Sequence, residues 1–573
     1  MSAISAGRAV VNVLRAEGIK WVFGMPGGHV LGIYDALYDT PEIQNILVRH
    51  EQAAAAMAAG HAQLTGEPGV ICVTAGPGAT NLVTGIAEAY LGALPVVVIA
   101  GRGSSATTYR GASQEIAQDR VFAPITKWAV RVDRADLIVD VLRQAFTVAR
   151  SGKPGPVLVD IPRDVLSQKV EFQGYVPVGR PARTQGSPER IGAAVEALLR
   201  AERPIIVAGG GTVASGAFNE LRDLAELLGL PVLTTLSGRG SLPDDHALAA
   251  GGLGCHRNDV TKRMLTEADF VLGLGCRFEE METNWKPGYV PDPSACYVQV
   301  DIDPLEIGRS VVPRVGIVGD IKSVLVEICR LVRESGHIPA AAHYLSLPRV
   351  QELLRDTQRM EAEADSTIGC DRPPLHPLRV IRAVRRSFPR NTTLAIDVGV
   401  LAQHMGGAFP YFKVYEPRSV IAPTSFYSMG FAAAALPCAR LVYPERPAVG
   451  LVGDGSFQMS MNVLPVAAEY RLPVTWCVLN DSALGSIRDI QEHAFNRRFI
   501  ATEFAVQPDF AKVATACKCY GERVESYAQI EPAIERAREA NDRGIPAVLD
   551  FIVARERTKA TVEFAAPNHN KQA

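Results

Sequence analysis

Short apolar runs that end on glycine, each followed by a stretch with helical spacing, recur along this chain in three sets. In the first, Lys20–Phe23 leads into Gly24-Met-Pro-Gly-Gly28 and Val70–Val73 into Thr74-Ala-Gly-Pro-Gly78, while Leu94–Ala100 and Val157–Ile161 repeat the strand pattern. Ser5–Glu17, Val30–Tyr38, Ala53–Leu64 and Ala79–Leu91 carry apolar residues at helical spacing. The second set runs through Pro204–Val207, Pro231–Thr235, Phe270–Leu274 and Tyr297–Asp301. The third starts at Leu394–Val398 and includes Ala448–Val452, Pro473–Leu479 and Ala547–Val553. Continuous apolar strands that alternate with helices form parallel sheets covered on both faces. The expected fold class is therefore α/β, with three consecutive open parallel-sheet domains.

The 573 residues accommodate three such units. Gly-, Pro-, Arg- and Ser-rich sequence around 170–189 and a polar, helical stretch at 335–375 read as linkers. They divide the chain into domains 1–170, 190–333 and 375–555, with a polar tail, 556–573, read as disordered or as a loose cover over a site. No short-period repeat is evident. Lys and Arg total 59 against 61 Asp and Glu, so no basic surplus points to nucleic acid. The apolar runs are too short and broken for a membrane span, and the N-terminus carries no secretory pattern. The ten cysteines are scattered, with only Cys517 and Cys519 close together, which suits reduced thiols in a cytoplasmic protein.

Two strand ends in the third set carry chemistry. Ala448–Val452 stops at Gly453-Asp454-Gly455, and Pro473–Leu479 stops at Asn480-Asp481. Neighbouring strand ends would aim oxygen ligands at one point, as Mg²⁺ shared with a phosphate requires. Flanking glycines would let backbone N–H groups approach that phosphate. Gly-Asp-Gly alone reads better as a plain turn, and only the pairing favours a site.

These motifs resemble the thiamine diphosphate enzymes, whose diphosphate domain carries Gly-Asp-Gly followed downstream by Asn-Asn. Gly453-Asp454-Gly455 fits, whereas Asn480-Asp481 replaces the second asparagine. The first unit resembles the pyrimidine domain of the same family through Gly24-Met-Pro-Gly-Gly28, His50-Glu51, Thr74-Ala-Gly-Pro-Gly-Ala-Thr-Asn81 and Pro124-Ile-Thr-Lys127. Leu230-Pro-Val-Leu-Thr-Thr-Leu-Ser-Gly-Arg-Gly240, Gly275-Cys-Arg-Phe278, Val300-Asp-Ile-Asp-Pro304 and Ser428-Met-Gly430 narrow the resemblance to acetolactate synthase large subunits and related carboligases.

The resemblance implies decarboxylation of a 2-oxo acid, with pyruvate the expected donor, followed by carboligation to a second carbonyl. It implies Mg²⁺ on Asp454, Asp481 and the carbonyl of Ala483. Cofactor contacts are expected from Pro26, Gly27, Gly76 and Asn81 in the first unit. In the third they are expected from Gly399, Ser428, Met429, Gly453, Gly455, Ser456 and the Leu484-Gly485-Ser486 turn. Glu51 is the expected catalytic carboxylate, bonding N1′ of the aminopyrimidine. Alone it reads as an acidic residue at a helix start. Gln114 is expected beside the substrate and counted as catalytic, with Gly28, Lys127 and Ile487 lining the substrate pocket. Lys127 reads equally as a surface lysine. The family architecture implies a homodimer or homotetramer and leaves a regulatory subunit open.

The chain also departs from the acetolactate synthase pattern. Ser113 replaces a phenylalanine, Glu279-Glu280-Met281 replaces Asp-Asp-Arg, and Ser486-Ile-Arg-Asp-Ile-Gln491 lacks a tryptophan that selects the second oxo acid. Arg488 reads as a solvent-facing partner of Asp489. These departures keep an uncommon 2-oxo acid decarboxylase or lyase, or a non-catalytic homologue, as alternatives. In the central unit, Gly209-Gly210-Gly211, Arg239, Arg277 and Asp301–Asp303 leave FAD open as an occupant.

Overall fold

The computed structural model describes residues 3–254, 257–336, 344–367, 373–405 and 409–556. Three six-stranded sheets follow one another along the chain, each parallel throughout. The first sheet has the order Gln44–Leu47, Trp21–Met25, Gly69–Val73, Val96–Arg102, Pro156–Pro162, Trp128–Arg131. The central sheet runs Ala249–Gly252, Val232–Thr234, Pro204–Ala208, Phe270–Leu274, Cys296–Asp301, Val315–Val318. The third runs Val420–Ile421, Thr393–Ile396, Ala448–Gly453, Thr475–Asn480, Ala547–Ile552, Tyr520–Val524. A short antiparallel pair, Ala3–Ser5 with Lys169–Glu171, ties the two ends of the first unit together.

The inner strands are the apolar runs of the sequence. The two outer strands of every sheet lack that signature. They are short or mixed in polarity, as in Gln44–Leu47 and Tyr520–Val524, because an edge strand is not buried on both faces. The expected helix Ala79–Leu91 is two helices, Pro77–Thr80 and Val83–Leu91.

The stretch read as a second linker is a strap on the central unit. Helix Pro348–Thr367 buries Val350 and Leu353 against that unit's core. Arg263 pairs with Asp356, and Arg349 donates to the Gly229 carbonyl at 3.1 Å. Of the expected tail, residues from 557 onward lie outside the described residues.

Alanine-rich helix Glu51–Thr65 sits between the first and third sheets. Its residues share one core with helix Phe431–Ala435, and a Cβ on Gly60 would stand 3.1 Å from that of Ala435. Side chains no larger than a methyl let the two units close on each other. A larger one would force shifts costing about 1–3 kcal/mol. This contact sets the first and third sheets as a fixed pair.

Candidate functional site

Two half-sites lie at the ends of the first and third sheets where the strands finish. In the third, strands Ala448–Gly453 and Thr475–Asn480 are neighbours in parallel register, with Gly453 opposite Leu479. Asp454 and Asp481 therefore leave adjacent strand ends, and both are buried, at 2% and 8% exposure. Burial, and next the charge of Asp481, push the Asp454 carboxyl up to about 7, against the pull of N–H groups from Gly455, Ser482 and Ala483. Ser482, at φ +54°, turns the chain so that these amides face inward. Asn480 donates to Asp550 at 2.9 Å, while its oxygen accepts at 3.4 Å from the Gln507 amide that also meets Asp454. Two buried carboxylates that repel each other at a polar strand end form a donor set that a divalent cation fits. Gln507, which the sequence did not single out, donates to Asp454 and is held by Gln458 at 2.8 Å.

The space before these carboxylates is open. A Cβ built on Gly399 or Gly453 would meet nothing within 4 Å, and the same holds for Gly28 in the first unit. Gly453 has an ordinary φ of −71°, so neither its conformation nor a neighbour requires glycine. Close approach of a bulky ligand to the backbone is the physical reason left. Gly455 lies against Leu484 and Met429, whose Cδ2 and Cε would stand 3.1 and 3.5 Å from an added Cβ. Helix Gly485–Ala494 begins here at Gly485 and Ser486 without a side-chain cap, leaving its N–H groups for an anion. Ser456 is buried and donates to Val398 O at 3.2 Å. Ser428 is placed differently from the expectation of a direct cofactor contact, since both its N–H and its hydroxyl donate to Glu88.

In the first half-site, Glu51 opens its helix and is 6% exposed. Asn81 donates to its Oε2 at 2.8 Å. A Cβ on Gly78 would stand 3.5 Å from its other oxygen, so the glycine turn closes over the carboxylate. Gly27 packs on Thr74, and Gly76 on Gln114, at distances that leave no room for a side chain. Gln114 itself takes φ +62°, a strained conformation for this residue, at the exposed rim beside Ser113. Pro26 and Gly28 are exposed on the same rim.

Two further residues of this half-site went unread in the sequence. Gln118 is buried and accepts from Gly76 N at 2.6 Å while donating to Gly101 O and Asp160, each at 3.0 Å. His29, directly after Gly28, sets its Nδ1 3.2 Å from Thr74 Oγ1. Burial, then the Arg163 charge, lower its proton affinity. Its place after the glycine pair was the available signal.

Lys127 is not brought to either half-site. It precedes strand Trp128–Arg131 and so stands where the strands begin, at the other edge of the sheet. Its ammonium caps helix Ile138–Arg150 through the carbonyls of Val148 and Ser151, at 2.5 Å to the latter. Ile487 is half exposed beside the third half-site. Arg488 pairs with Glu492 and Glu503 at 3.3 and 3.1 Å, not with Asp489, and stacks on Phe499.

A cavity of about 260 Å³ lies between the central unit, the first unit and the 180–184 segment. Its lining cations are Arg150, Lys153, Arg180, Arg183 and Arg277, and its acids Glu279, Glu282, Asp301, Glu306 and Asp320. Each cation already has a carboxylate partner: Arg150 has Glu17, Lys153 Glu306, Arg180 Glu67, Arg183 Asp320 and Arg277 Glu279. The glycines here are explained by packing, since a Cβ on Gly209 would meet Gly275 O at 2.2 Å and one on Gly211 the Gly275 Cα at 2.7 Å.

Family profiles match all three units. Residues 4–121 match the thiamine pyrophosphate enzyme N-terminal TPP binding domain, 191–328 the central domain and 401–551 the C-terminal TPP binding domain. The chain is 34% identical over 562 residues to a probable acetolactate synthase large subunit of Methanocaldococcus jannaschii, covering 96% of this chain and 92% of the relative. It is 34% identical over 550 residues to the acetolactate synthase isozyme 3 large subunit of Escherichia coli, covering 94% and 93%. It is 35% identical over 547 residues to the Haemophilus influenzae large subunit, covering 94% and 92%.

Proposed function

The chain belongs to the thiamine diphosphate enzyme family, and from that premise we propose that it is an acetolactate synthase-like carboligase. It decarboxylates a 2-oxo acid, with pyruvate as donor, and joins the remaining fragment to a second carbonyl. The observation that carries this is the open glycine cradle at Gly453, with Asp454 and Asp481 buried side by side beneath it.

Asp454 and Asp481 would hold Mg²⁺ with the carbonyl of Ala483, which relieves their mutual repulsion. Gly453, Gly455 and the start of helix Gly485–Ala494 would offer N–H groups to the diphosphate. Met429 and Leu484 supply an apolar face that would not compete for polar groups of the cofactor. Thiamine diphosphate, when bound, supplies the nucleophilic carbon and the electron sink for loss of CO₂. Glu51, oriented by Asn81, exchanges a proton at the pyrimidine nitrogen. His29 and Gln114 face the substrate side, where His29 can exchange a proton with a carbonyl oxygen.

Each half-site is incomplete alone, which supports a homodimer in which one protomer's Glu51 meets its partner's Asp454. Mixing the inactive variants Glu51→Gln and Asp454→Asn should then restore part of the activity, because a mixed dimer keeps one intact site. No recovery would sink the shared site. The central cavity's neutralised lining favours an enzyme without flavin; a flavin band in the visible spectrum of the purified protein would refute that. No helix among the described residues is long and apolar enough to cross a membrane, which is compatible with a cytoplasmic enzyme. The relatives named large subunits raise a smaller regulatory partner as part of the proposal, tested by co-purification.

Incubation with pyruvate, thiamine diphosphate and Mg²⁺ should yield acetolactate. Consumption only of other 2-oxo acids would favour the second reading, an uncommon decarboxylase or lyase. The exposed Ser113 and the His29–Thr74 pair are the observations that favour it.

A further inference from the structure

Met429 stands between two buried carboxylates that fix its neighbours. On one side Asp397 accepts N–H bonds from Gly430 and Ala433, each at 2.9 Å. On the other side the anchor comes from a different unit. Glu88, on helix Val83–Leu91 of the first unit, is wholly buried. Its Oε1 accepts from the N–H and, at 2.6 Å, the hydroxyl of Thr424. Its Oε2 accepts from the N–H of Ser428 at 3.0 Å and its hydroxyl at 2.6 Å. All four donors belong to the loop that delivers Met429. The central unit closes the same loop: Arg277 donates to Leu91 O at 2.8 Å and to Ser425 Oγ at 2.5 Å, and Ser425 donates to Glu279 at 2.7 Å.

A carboxylate removed from water is costly unless its acceptor sites are filled. Apolar or alanine side chains fill the rest of this helix's buried face, so the fold alone gives no reason for an acid at this position. Its hydrogen-bonding partners explain it. We propose that Glu88 is a positioning residue that sets Ser428, and through it Met429, for the cofactor. The proposal rests on the thiamine diphosphate reading. Asn81, which orients Glu51, lies seven residues before Glu88 along the same stretch of chain. One short segment thus supports Glu51 in one half-site and Met429 in the other.

Glu88→Gln tests this. Glutamine offers one acceptor oxygen and one amide donor. A hydroxyl can rotate to accept from that amide, but the N–H of Thr424 or Ser428 cannot, so one backbone donor loses its partner. The variant should bind thiamine diphosphate with Mg²⁺ about tenfold to a hundredfold more weakly and lose kcat by a similar factor. KM for the 2-oxo acid should stay within about twofold, because substrate binding is not what the latch controls. In cofactor-free protein the 424–429 amides should exchange hydrogen faster, with strand Ala448–Gly453 unchanged. Adding Ser428→Ala to Glu88→Gln should cost less than the sum of the two single changes.

A Glu88→Gln protein that loses only thermal stability, with cofactor affinity and kcat intact, would overturn the proposal and leave Glu88 as a domain contact. Full additivity with Ser428→Ala would overturn it too. Failure of the wild type to bind thiamine diphosphate would sink the cofactor reading and the proposal with it. A wild type that binds, beside a variant that binds equally well, overturns the proposal alone. If Glu88→Gln fails to fold, Thr424→Val removes one donor and should shift affinity and kcat the same way by about threefold; no shift would count against the latch.

Discussion

The central and third units share a six-stranded parallel sheet with glycines at the strand ends, yet they present opposite surfaces there. In the third unit Gly453 faces empty space, and two buried carboxylates stand beneath it, with no cation among the described residues paired with Asp454. In the central unit Gly209 and Gly211 are pressed against Gly275, and every cation lining the cavity already has a carboxylate partner. A glycine at a strand end marks a ligand site when packing does not already account for it. Unbalanced charge is the second mark. Both hold at Asp454 and neither holds at Gly209.

If chemistry is confined to the outer units, the largest effect should come from Glu51→Gln. Turnover should fall about 10²–10⁴-fold, the usual range for loss of a positioned proton-transfer group. Glu282→Gln in the central cavity should leave kcat within about twofold. Comparable losses in the two variants would break the contrast.

Glycine replacement probes the same contrast directly. Gly453→Ala should keep the melting temperature while weakening cofactor binding by a cost of about 1–3 kcal/mol, the usual range for overpacking. Gly209→Ala should do the reverse, destabilising the protein by about 3 kcal/mol because its methyl would press on a backbone carbonyl that cannot yield. Melting curves and cofactor titrations on both variants separate these outcomes.

Asp481→Asn sharpens the charge side of the comparison. Removing one of two like charges should stabilise the metal-free protein by about 1 kcal/mol. It should also weaken Mg²⁺ binding about tenfold, because ligand charge sets the affinity of such sites. A variant that lost metal affinity without gaining stability would mean that the carboxylates do not oppose each other.

The inner strands and the Asp454–Asp481 pairing were legible because a strand buried on both faces leaves a continuous apolar run, and the motif sits at the end of one. The outer strands were not, since strands such as Gln44–Leu47 and Tyr520–Val524 carry polar residues on an edge that faces solvent. Helix Pro348–Thr367 reads as a linker because most of its surface is polar; only a few residues, among them Val350 and Leu353, reach the core. The place of Glu51 at a helix start against the glycine turn was legible from the neighbouring histidine and glycines. Lys127 was misplaced because the sequence next to a motif does not say which edge of the sheet a residue occupies. Glu88 and Gln118 were hidden because a polar residue within a helix looks solvent-exposed until its partners, distant in sequence, are known. Gln507 was hidden for the same reason, its partner Asp454 lying far along the chain.

The last expected effect, on stability alone, concerns how the central unit tolerates its own acids. Burial first, and then the neighbouring Glu279, raise the Glu282 carboxyl well above the usual range, to about 8, against the pull of Arg277 and the Thr235 hydroxyl. Cys276 stands beside it, with Sγ 3.9 Å from a carboxyl oxygen. Near neutral pH the folded protein therefore holds a proton on Glu282 that the unfolded chain has released. The stability this proton supports is fully present below about pH 4.5, the unfolded value, and is lost as pH rises toward 8. Glutamine carries no titrating proton, so Glu282→Gln should match wild type near pH 5 and exceed it near pH 9, by on the order of 1–3 kcal/mol. Melting temperatures of both proteins across this range give the difference, from which titrations elsewhere in the fold cancel. A constant difference would mean that Glu282 stays charged in its cavity. The central unit would then hold two like charges side by side, as the third unit does at Asp454 and Asp481, and the charge contrast between them would fail.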